Sequence, residues 1–487
     1  MSQTTKEGSK LSSFIKGSAI LVLSNMCLKA INFFLLPLYT NNLTPSMIGI
    51  SDSITTLTGI ILPLLTMGLD SAYSAFYFDN NDNDRAHKVF TTLTLSFIVL
   101  GIVPLLLMFF SSGISRTLFK TTEYSYIVRF AMISVTFNLW YLPYSLELRL
   151  QNRMFLFGLS NVIASLSMVV LNVIFVSVLS LGESALILST MLVHIENTII
   201  LLLFVKTKPR KQWFDFELLK QMIRFALPLI PMTLMVWILS LSDRYVLLYS
   251  CGDASVGLYG ISLRFTSLLN VVISAVSMAY TTFAFSSKDD KDSKIQYYYI
   301  YNIESILLLV IAFSIGLFGK EIIHLMTSES YSESYVALRD LMFSQAFYAM
   351  TSIVGYGIYF EKKSIYSLIA VSVGAVLNLG LNIILIPKYG IAAAAFTTLL
   401  GYGVNYILTL YYSEKLYPCQ YGQRKMHLCF LLLYSVCFIG MELSMSWKLV
   451  LWIGSMAAVF VLYRELLQFV SDTMMKAIRN KIGAKDY

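Results

Sequence analysis

Five basic residues stand inside apolar stretches of this 487-residue sequence: Arg264, Arg129, Arg339, Lys29 and Arg244. A cation at the centre of a bilayer costs about 2.5 to 3.5 kcal/mol on insertion scales, so one that is kept there faces a cavity or a partner. A guanidinium presents a planar fork of N–H donors that grips phosphate or carboxylate oxygens two at a time. The chemistry this set suggests is binding of a diphosphate or an acidic sugar. Arg264 leads, because it lies about ten residues into its helix, roughly 15 Å deep, where a long side chain no longer snorkels easily to the headgroups. Arg129 and Arg339 lie about six residues, or roughly 9 Å, into theirs. These two and Lys29 could instead snorkel to outer headgroups, and Arg244 could pair with its neighbour Asp243 or with a carboxylate of another helix.

Four acids are candidates for ion coupling or gating: Glu196, Asp70, Asp243 and Glu304. Glu196 sits two residues from His194, deep enough in an apolar helix to take up a proton, although a polar bond between helices would explain it equally well. Asp70 lies at the inner end of a helix, where packing is the default reading. Glu304 could partner a basic residue that the sequence does not name. Coupling to H+ or Na+ is the one cofactor-like role these acids suggest. His87, His194, His324 and His427 are dispersed, and no HExxH, GxxxxGK[ST] or GxSxG motif is present. The cysteines show no CxxC or metal-type spacing. The sequence therefore reads as a non-enzyme whose energy comes from an ion gradient, a substrate gradient or a partner.

The elements that carry these residues follow from composition. Apolar residues make up 57% of the chain, charged residues only 13%, and the mean hydropathy is +0.69; a soluble domain carries roughly half and a quarter. Apolar blocks run near 14–38, 47–77, 88–110, 124–148, 155–180, 183–205, 219–250, 254–285, 296–318, 333–360, 363–386, 391–413, 426–444 and 447–469. Each is long enough for a hydrocarbon core of about 30 Å, which needs roughly 20 helical residues, and in lipid the backbone must bond to itself. The predicted fold is an all-α integral membrane protein of about fourteen transmembrane helices. The first block lacks a cleavage-site pattern and reads as a retained helix. The net charge of +8 comes from residues scattered through short loops, with no patch suited to nucleic acid. Most basic residues fall on one side, including Lys206, Lys208, Arg210, Lys211, Lys220 and Arg224 in the middle linker, which places both termini in the cytoplasm.

The two halves match each other at an offset of about 208 to 210 residues. Lys16 matches Arg224, Gly49 matches Gly257, Arg129 matches Arg339, Asn172 matches Asn382, Gly182 matches Gly390, Thr190 matches Thr398 and Asn197 matches Asn405. Six helices per unit is an even number, so both halves share one membrane orientation and an axis along the membrane normal relates them. The expected bodies are 1–210, 211–415, and 416–487 with two further helices and a cytoplasmic tail. Such an arrangement encloses a central cavity, with Arg129 facing Arg339 across the axis and the basic residues of helices 1, 4, 7, 8 and 10 around it.

The second half opens with LPLIPMTLMVWILSLSDRYVLLYSCGDASVGLYGISLRF, Leu227 to Phe265. This run resembles the polysaccharide biosynthesis proteins, the oligosaccharide-lipid flippases of the MOP (multidrug/oligosaccharidyl-lipid/polysaccharide) exporter superfamily, whose seventh and eighth helices carry a similar LPL, SDRY and VGxY series. GLDSAYSAFYF, Gly68 to Phe78, and VLNLGLNIILIPKYGIAAAAFTT, Val376 to Thr398, are similar to two further segments of that family. The resemblance implies a bacterial inner-membrane protein that moves an undecaprenyl-diphosphate-linked oligosaccharide, such as an O-antigen unit of lipopolysaccharide, from the cytoplasmic to the periplasmic leaflet. It also implies membrane lipids, a polysaccharide polymerase and chain-length proteins as partners. One departure is VVLNVIFVSVLSLGESA, the first-half counterpart of the third segment, which has no equivalent of Pro387.

Other transporters compete with this reading. A multidrug or cation antiporter of the related branch usually stops at twelve helices and favours cations, which an arginine-rich interior repels. A flippase for a lipid-linked peptidoglycan precursor shares the diphosphate chemistry. A major-facilitator carrier would show a glycine-flanked basic motif where this chain has FDNNDNDRAHK. A membrane-embedded glycosyltransferase would need a large outside loop or an intramembrane acid/base pair, and the predicted outside loops are short.

Overall fold

The computed structural model of the protein describes residues 33–77, 83–288, 293–466 and 468, over which the chain is helical with no strand. The first helices are α1 (Leu36–Asn42), α2 (Pro45–Thr66), α3 (Leu69–Tyr77), α4 (Asn83–Leu100), α5 (Ile102–Leu107) and α6 (Ser111–Phe119). There follow α7 (Ser125–Leu150), α8 (Met154–Asn172), α9 (Ala185–Phe204), α10 (Phe216–Ala226), α11 (Ile230–Cys251) and α12 (Asp253–Ser286). The remainder comprises α13 (Ser293–Leu317), α14 (Gly319–Met326), α15 (Tyr335–Val354), α16 (Tyr356–Phe360), α17 (Ile365–Leu416), α18 (Gln423–Gly440) and α19 (Met445–Leu462). The predicted spans from 47–77 onward coincide with these helices. The first predicted span, together with Lys29, and the tail beyond 468 lie outside the described residues apart from α1 and its approach.

Among the described residues nine helical stretches are long and apolar enough to cross a membrane. The shortfall from fourteen has a physical origin. Helix α17 counts once although it holds two predicted spans, while α7, α15 and α18 are of spanning length but are diluted by Arg129 and Glu147, by Arg339 and Asp340, and by Arg424 and Lys425. Large apolar side chains such as Phe109, Leu203, Leu325 and Val461 are more than 70% exposed, as lipid-facing residues are and a soluble surface seldom is.

Helix α17 breaks at Gly390, whose φ of 57° and ψ of −134° are open only to glycine at low cost. Its two arms fold back on each other there. Asn378 on one arm donates to Thr398 on the other at 3.5 Å, and Thr397 donates to Asn382. An equally tight approach joins the two halves of the chain. A Cβ on Gly49 of α2 would fall inside the backbone carbonyl of Asp253, and a Cβ on Gly257 of α12 would fall inside that of Pro45. The contact is reciprocal in the way a two-fold axis produces, and its residues are ones that the sequence pairs across the halves.

The helix pair α18 and α19 is clamped to α13, α14 and α15. Arg339 is buried, donates to the Asp340 carboxylate at 2.7 and 3.0 Å, and lies against the rings of Tyr434 and Phe438. Tyr434 donates to Asp340 at 2.9 Å. Lys448, buried to 1% side-chain exposure, meets both oxygens of Glu321 at 2.7 and 2.8 Å. Arg339 therefore meets an aspartate next in sequence and the aromatic face of α18 rather than Arg129, and the expected facing of the two arginines is corrected. In the turn between α18 and α19, Tyr335 and then Lys320 hold the Glu442 carboxyl below its usual range. A lowered carboxyl pKa stabilises the fold above the unfolded value and loses that contribution as the pH falls through the folded one. At this exposed site the contribution is small.

The glycine crossing yields a first prediction. Gly257→Val forces α2 and α12 apart at an overpacking cost of about 1–3 kcal/mol and should lower the melting temperature of the purified protein in detergent. A variant that melts with the wild type would show that the two helices do not meet here.

Candidate functional site

Just past this crossing, α2, α8, α9, α11 and α12 surround a cavity of about 350 Å³. Arg264 and Arg244 both line it. Arg264 forms a two-pronged pair with Asp52 of α2, Nη1 to Oδ2 at 3.3 Å and Nη2 to Oδ1 at 3.1 Å. Its guanidinium carbon also lies 5.8 Å from the ring of Tyr39. The pair needs Gly260, because a Cβ there would occupy the place of the Asp52 carboxylate. Side-chain exposures of 15% and 14% leave both groups at the cavity wall, in reach of water. This tie is the charged bond between α2 of the first half and α12 of the second.

Arg244 and Asp243 part company although they are neighbours. The Arg244 guanidinium turns to the cavity and donates to Thr56 at 3.3 Å, while its Nε has no partner among the described residues. Asp243 points the other way, into the second half. There its Oδ2 accepts from Tyr259 at 2.5 Å and Thr398 at 3.2 Å, and its Oδ1 accepts from the Arg244 backbone N–H at 2.8 Å. Thr398 leads on to Asn378, Asn382 and Thr397, so a polar ladder joins α11, α12 and both arms of α17.

The cavity also receives Asn172, which is 2% exposed and whose side-chain oxygen has no partner among the described residues. It is the last residue of α8, where the helix widens into a π turn over Val173–Val178, a distortion that often marks functional positions. A buried carboxamide left open and an arginine with a free Nε are groups that a ligand oxygen or N–H would satisfy. Two guanidinium groups against one carboxylate give the lining a positive balance. The arrangement can hold an oxyanion, and one that takes Arg264 must compete with Asp52.

The remaining candidates are dispersed. Arg129 is exposed and donates to Ser111 at 3.0 Å. Glu196 accepts from Ser167 of α8 at 2.8 Å, the interhelical bond that its sequence position allowed. Asp70 is half-buried in the first turn of α3, where the helix N-terminus favours a negative charge. Glu304 is buried in α13 with neither carboxyl oxygen bonded among the described residues. Of the five basic candidates, the structure thus gathers Arg244 and Arg264 at one cavity. Sequence reasoning passed over Asp52, although its signal was the one that selected Arg264: a charge inside an apolar span. Asn172 was noted only as a repeat match.

The all-helical fold, with its membrane-length apolar helices around this basic cavity, is that of a multi-pass membrane protein. In three dimensions the chain is similar to the lipid II flippase MurJ in its inward closed conformation, with a TM-score of 0.73 and 15% identity over 93% of this chain and 100% of that one. It is also similar to an inward-facing multidrug resistance MATE family transporter (TM-score 0.65, 19% identity, 80% of this chain and 94% of that one) and to an outward-facing one (0.60, 19%, 82% and 95%). The family model described as polysaccharide biosynthesis protein matches residues 42–336, more than half of the sequence, and the chain belongs to that family. An uncharacterised membrane protein of Methanocaldococcus jannaschii is 31% identical over 127 residues, which are 25% of this chain and 24% of that protein.

The pair predicts its own energetics. Asp52→Asn, Arg264→Gln and the double variant should show a coupling energy of about 1–3 kcal/mol in thermal or denaturant unfolding, as charges in contact do. A coupling below about 0.5 kcal/mol, the level of independent sites, would remove the pair as a tie between the halves.

Proposed function

We propose that the protein is a flippase that carries an undecaprenyl-diphosphate-linked oligosaccharide unit, O-antigen or another surface polysaccharide, from the cytoplasmic to the periplasmic leaflet of a bacterial inner membrane. The observation that carries this reading is the cavity in which Arg264 is tied to Asp52 while Arg244 keeps an unfilled donor. A lipid diphosphate is the substrate chemistry that two guanidinium forks fit best. A cation antiporter would want the opposite balance of charge at the cavity wall.

Transport follows from competition. The glycine crossing and the Asp52–Arg264 tie hold α2 and α12 together at the end of the cavity that the charge distribution assigns to the outside. A diphosphate entering from the cytoplasm offers Arg264 more oxyanion than Asp52 does, so binding frees Asp52 and loosens the tie between the bodies 1–210 and 211–415. The two bodies then rock about the site, as alternating access requires, with α18 and α19 riding on the second body and both termini in the cytoplasm. Asp243, at the head of its polar ladder, and Glu304, whose carboxyl oxygens have no bond among the described residues, are the acids we assign to coupling with H+ or Na+. Arg129 and Arg339 take no part in binding on this reading.

Arg264→Ala should abolish export of the surface polysaccharide while the protein still inserts into the membrane, and Arg264→Lys, which keeps the charge but loses the fork, should restore only part of it. The readout is surface polysaccharide together with the lipid-linked units left on the cytoplasmic leaflet. Normal export by a well-expressed Arg264→Ala protein would overturn the site. Accumulation of a peptidoglycan precursor in place of the oligosaccharide, after deletion of the gene, would move the assignment to that substrate.

A further inference from the structure

A second cavity, of about 230 Å³, adjoins the first and shares Thr55, Ile187 and Thr190 with it. It lies one to two helical turns further along α2, α7 and α9, and its chemistry is different. Among the described residues no Asp, Glu, Lys or Arg lines it. Its polar groups are the hydroxyls of Thr55, Thr58, Thr190 and Ser134, the carboxamide of Asn138 and the ring of His194. Thr55, Thr58 and Thr190 each donate to a backbone carbonyl of their own helix, at 2.9, 2.8 and 2.8 Å. This spends the hydroxyl proton and leaves the oxygen as an acceptor. Asn138 contributes donors as well as an acceptor, and Ser134 engages Nδ1 of His194 at 2.7 Å, leaving Nε2 as the imidazole's remaining polar atom. Leu62, Ala131, Val135 and Ile187 complete the wall with apolar surface.

We infer that this cavity is a subsite for the first sugar of the lipid-linked glycan, and that it selects an uncharged, hydroxyl- or acetamido-bearing ring. The inference rests on the diphosphate reading of the arginine cavity and adds to it the part of the substrate that sits beside the phosphate. A sugar offers alternating donors and acceptors around an apolar ring, and the cavity offers neutral acceptors, a carboxamide and apolar wall. Sharing Thr55 and Thr190 places the two cavities side by side, as a phosphate and the ring bonded to it must lie. The volume equals about eight waters at roughly 30 Å³ each, the scale of one ring and well short of an oligosaccharide. The remaining sugars run out of the open side without being read. Sites built to hydrogen-bond a ligand discriminate strongly against one that lacks the matching groups, because their own polar atoms are then left unpaired.

The test compares two probes on the purified full-length protein: undecaprenyl diphosphate, and undecaprenyl diphosphate carrying one N-acetylglucosamine. The wild type should bind the glycosylated probe about tenfold more tightly. Asn138→Leu and Thr58→Val should each remove most of that gain and leave the bare probe within about twofold, whereas Arg264→Ala should weaken both probes together. Thr58→Val replaces one half-exposed hydroxyl by a methyl group of similar size and keeps the test available if Asn138→Leu does not fold. Equal affinity of the wild type for the two probes overturns the subsite while leaving the arginine site intact, and so does a gain that survives in both variants. Binding of the bare probe that is no weaker in Arg264→Ala than in the wild type overturns the diphosphate reading and, with it, the subsite that rests on it.

Discussion

A charge inside a bilayer must be answered, and the way Asp52 answers Arg264 organises much of this molecule. For both groups to sit at one cavity wall, α2 and α12 must come within side-chain reach, which Gly49, Gly257 and Gly260 make geometrically available. The pair is solvated enough to be exchangeable, with exposures of 15% and 14%. A fully buried bridge would resist exchange, since removing one partner strands the other. A pair at a polar wall can change partners when an oxyanion arrives. The same feature therefore ties the two halves of the chain together and stands at the cavity wall where a ligand would act on it.

Much of this architecture was legible in the sequence, for physical reasons. Lipid enforces helices of a fixed minimum length, so apolar runs mark spans, and Gly390 announces the break between the arms of α17 because nothing else adopts its backbone angles cheaply. Arg264 stood out in the sequence because its depth makes snorkelling difficult, and the structure places it at a cavity wall. Its partner was missed because pairing is a property of two helices far apart in sequence, and only the packing of α2 on α12 brings residues 52 and 264 together. For the same reason Arg339 was misplaced. Its aspartate neighbour and the aromatic face of α18 satisfy it within its own surroundings, and no periodicity in α15 reports where α18 will pack.

Arg339 and Arg264 are alike in sequence terms: each is a lone arginine in an apolar helix that starts on the same side. What separates them is which bodies their partners belong to. The Arg339 contacts with Asp340, Tyr434, Phe438 and Met441 stay within α15 and the helix pair docked on it, so they hold whatever the two halves do. The Arg264 contact joins elements from opposite halves of the chain, so a motion that separated α2 from α12 would break it. Depth in the membrane identifies a costly charge; whether its partner lies in the same half or in the other separates these two.

The buried acid of α11 follows the same logic in reverse. Asp243 looks away from the cavity into a ladder of hydroxyls and carboxamides that lies wholly in the second half. A proton or cation taken up there would alter the packing of α11 and α12 against the arms of α17 without touching a ligand held at Arg244. Arg244 follows Asp243 directly on α11, so a rotation of that helix would move both residues at once. One helix thus carries the cavity-facing cation and the buried acid side by side on different faces, and any coupling between an ion gradient and the cavity requires no path longer than the width of α11.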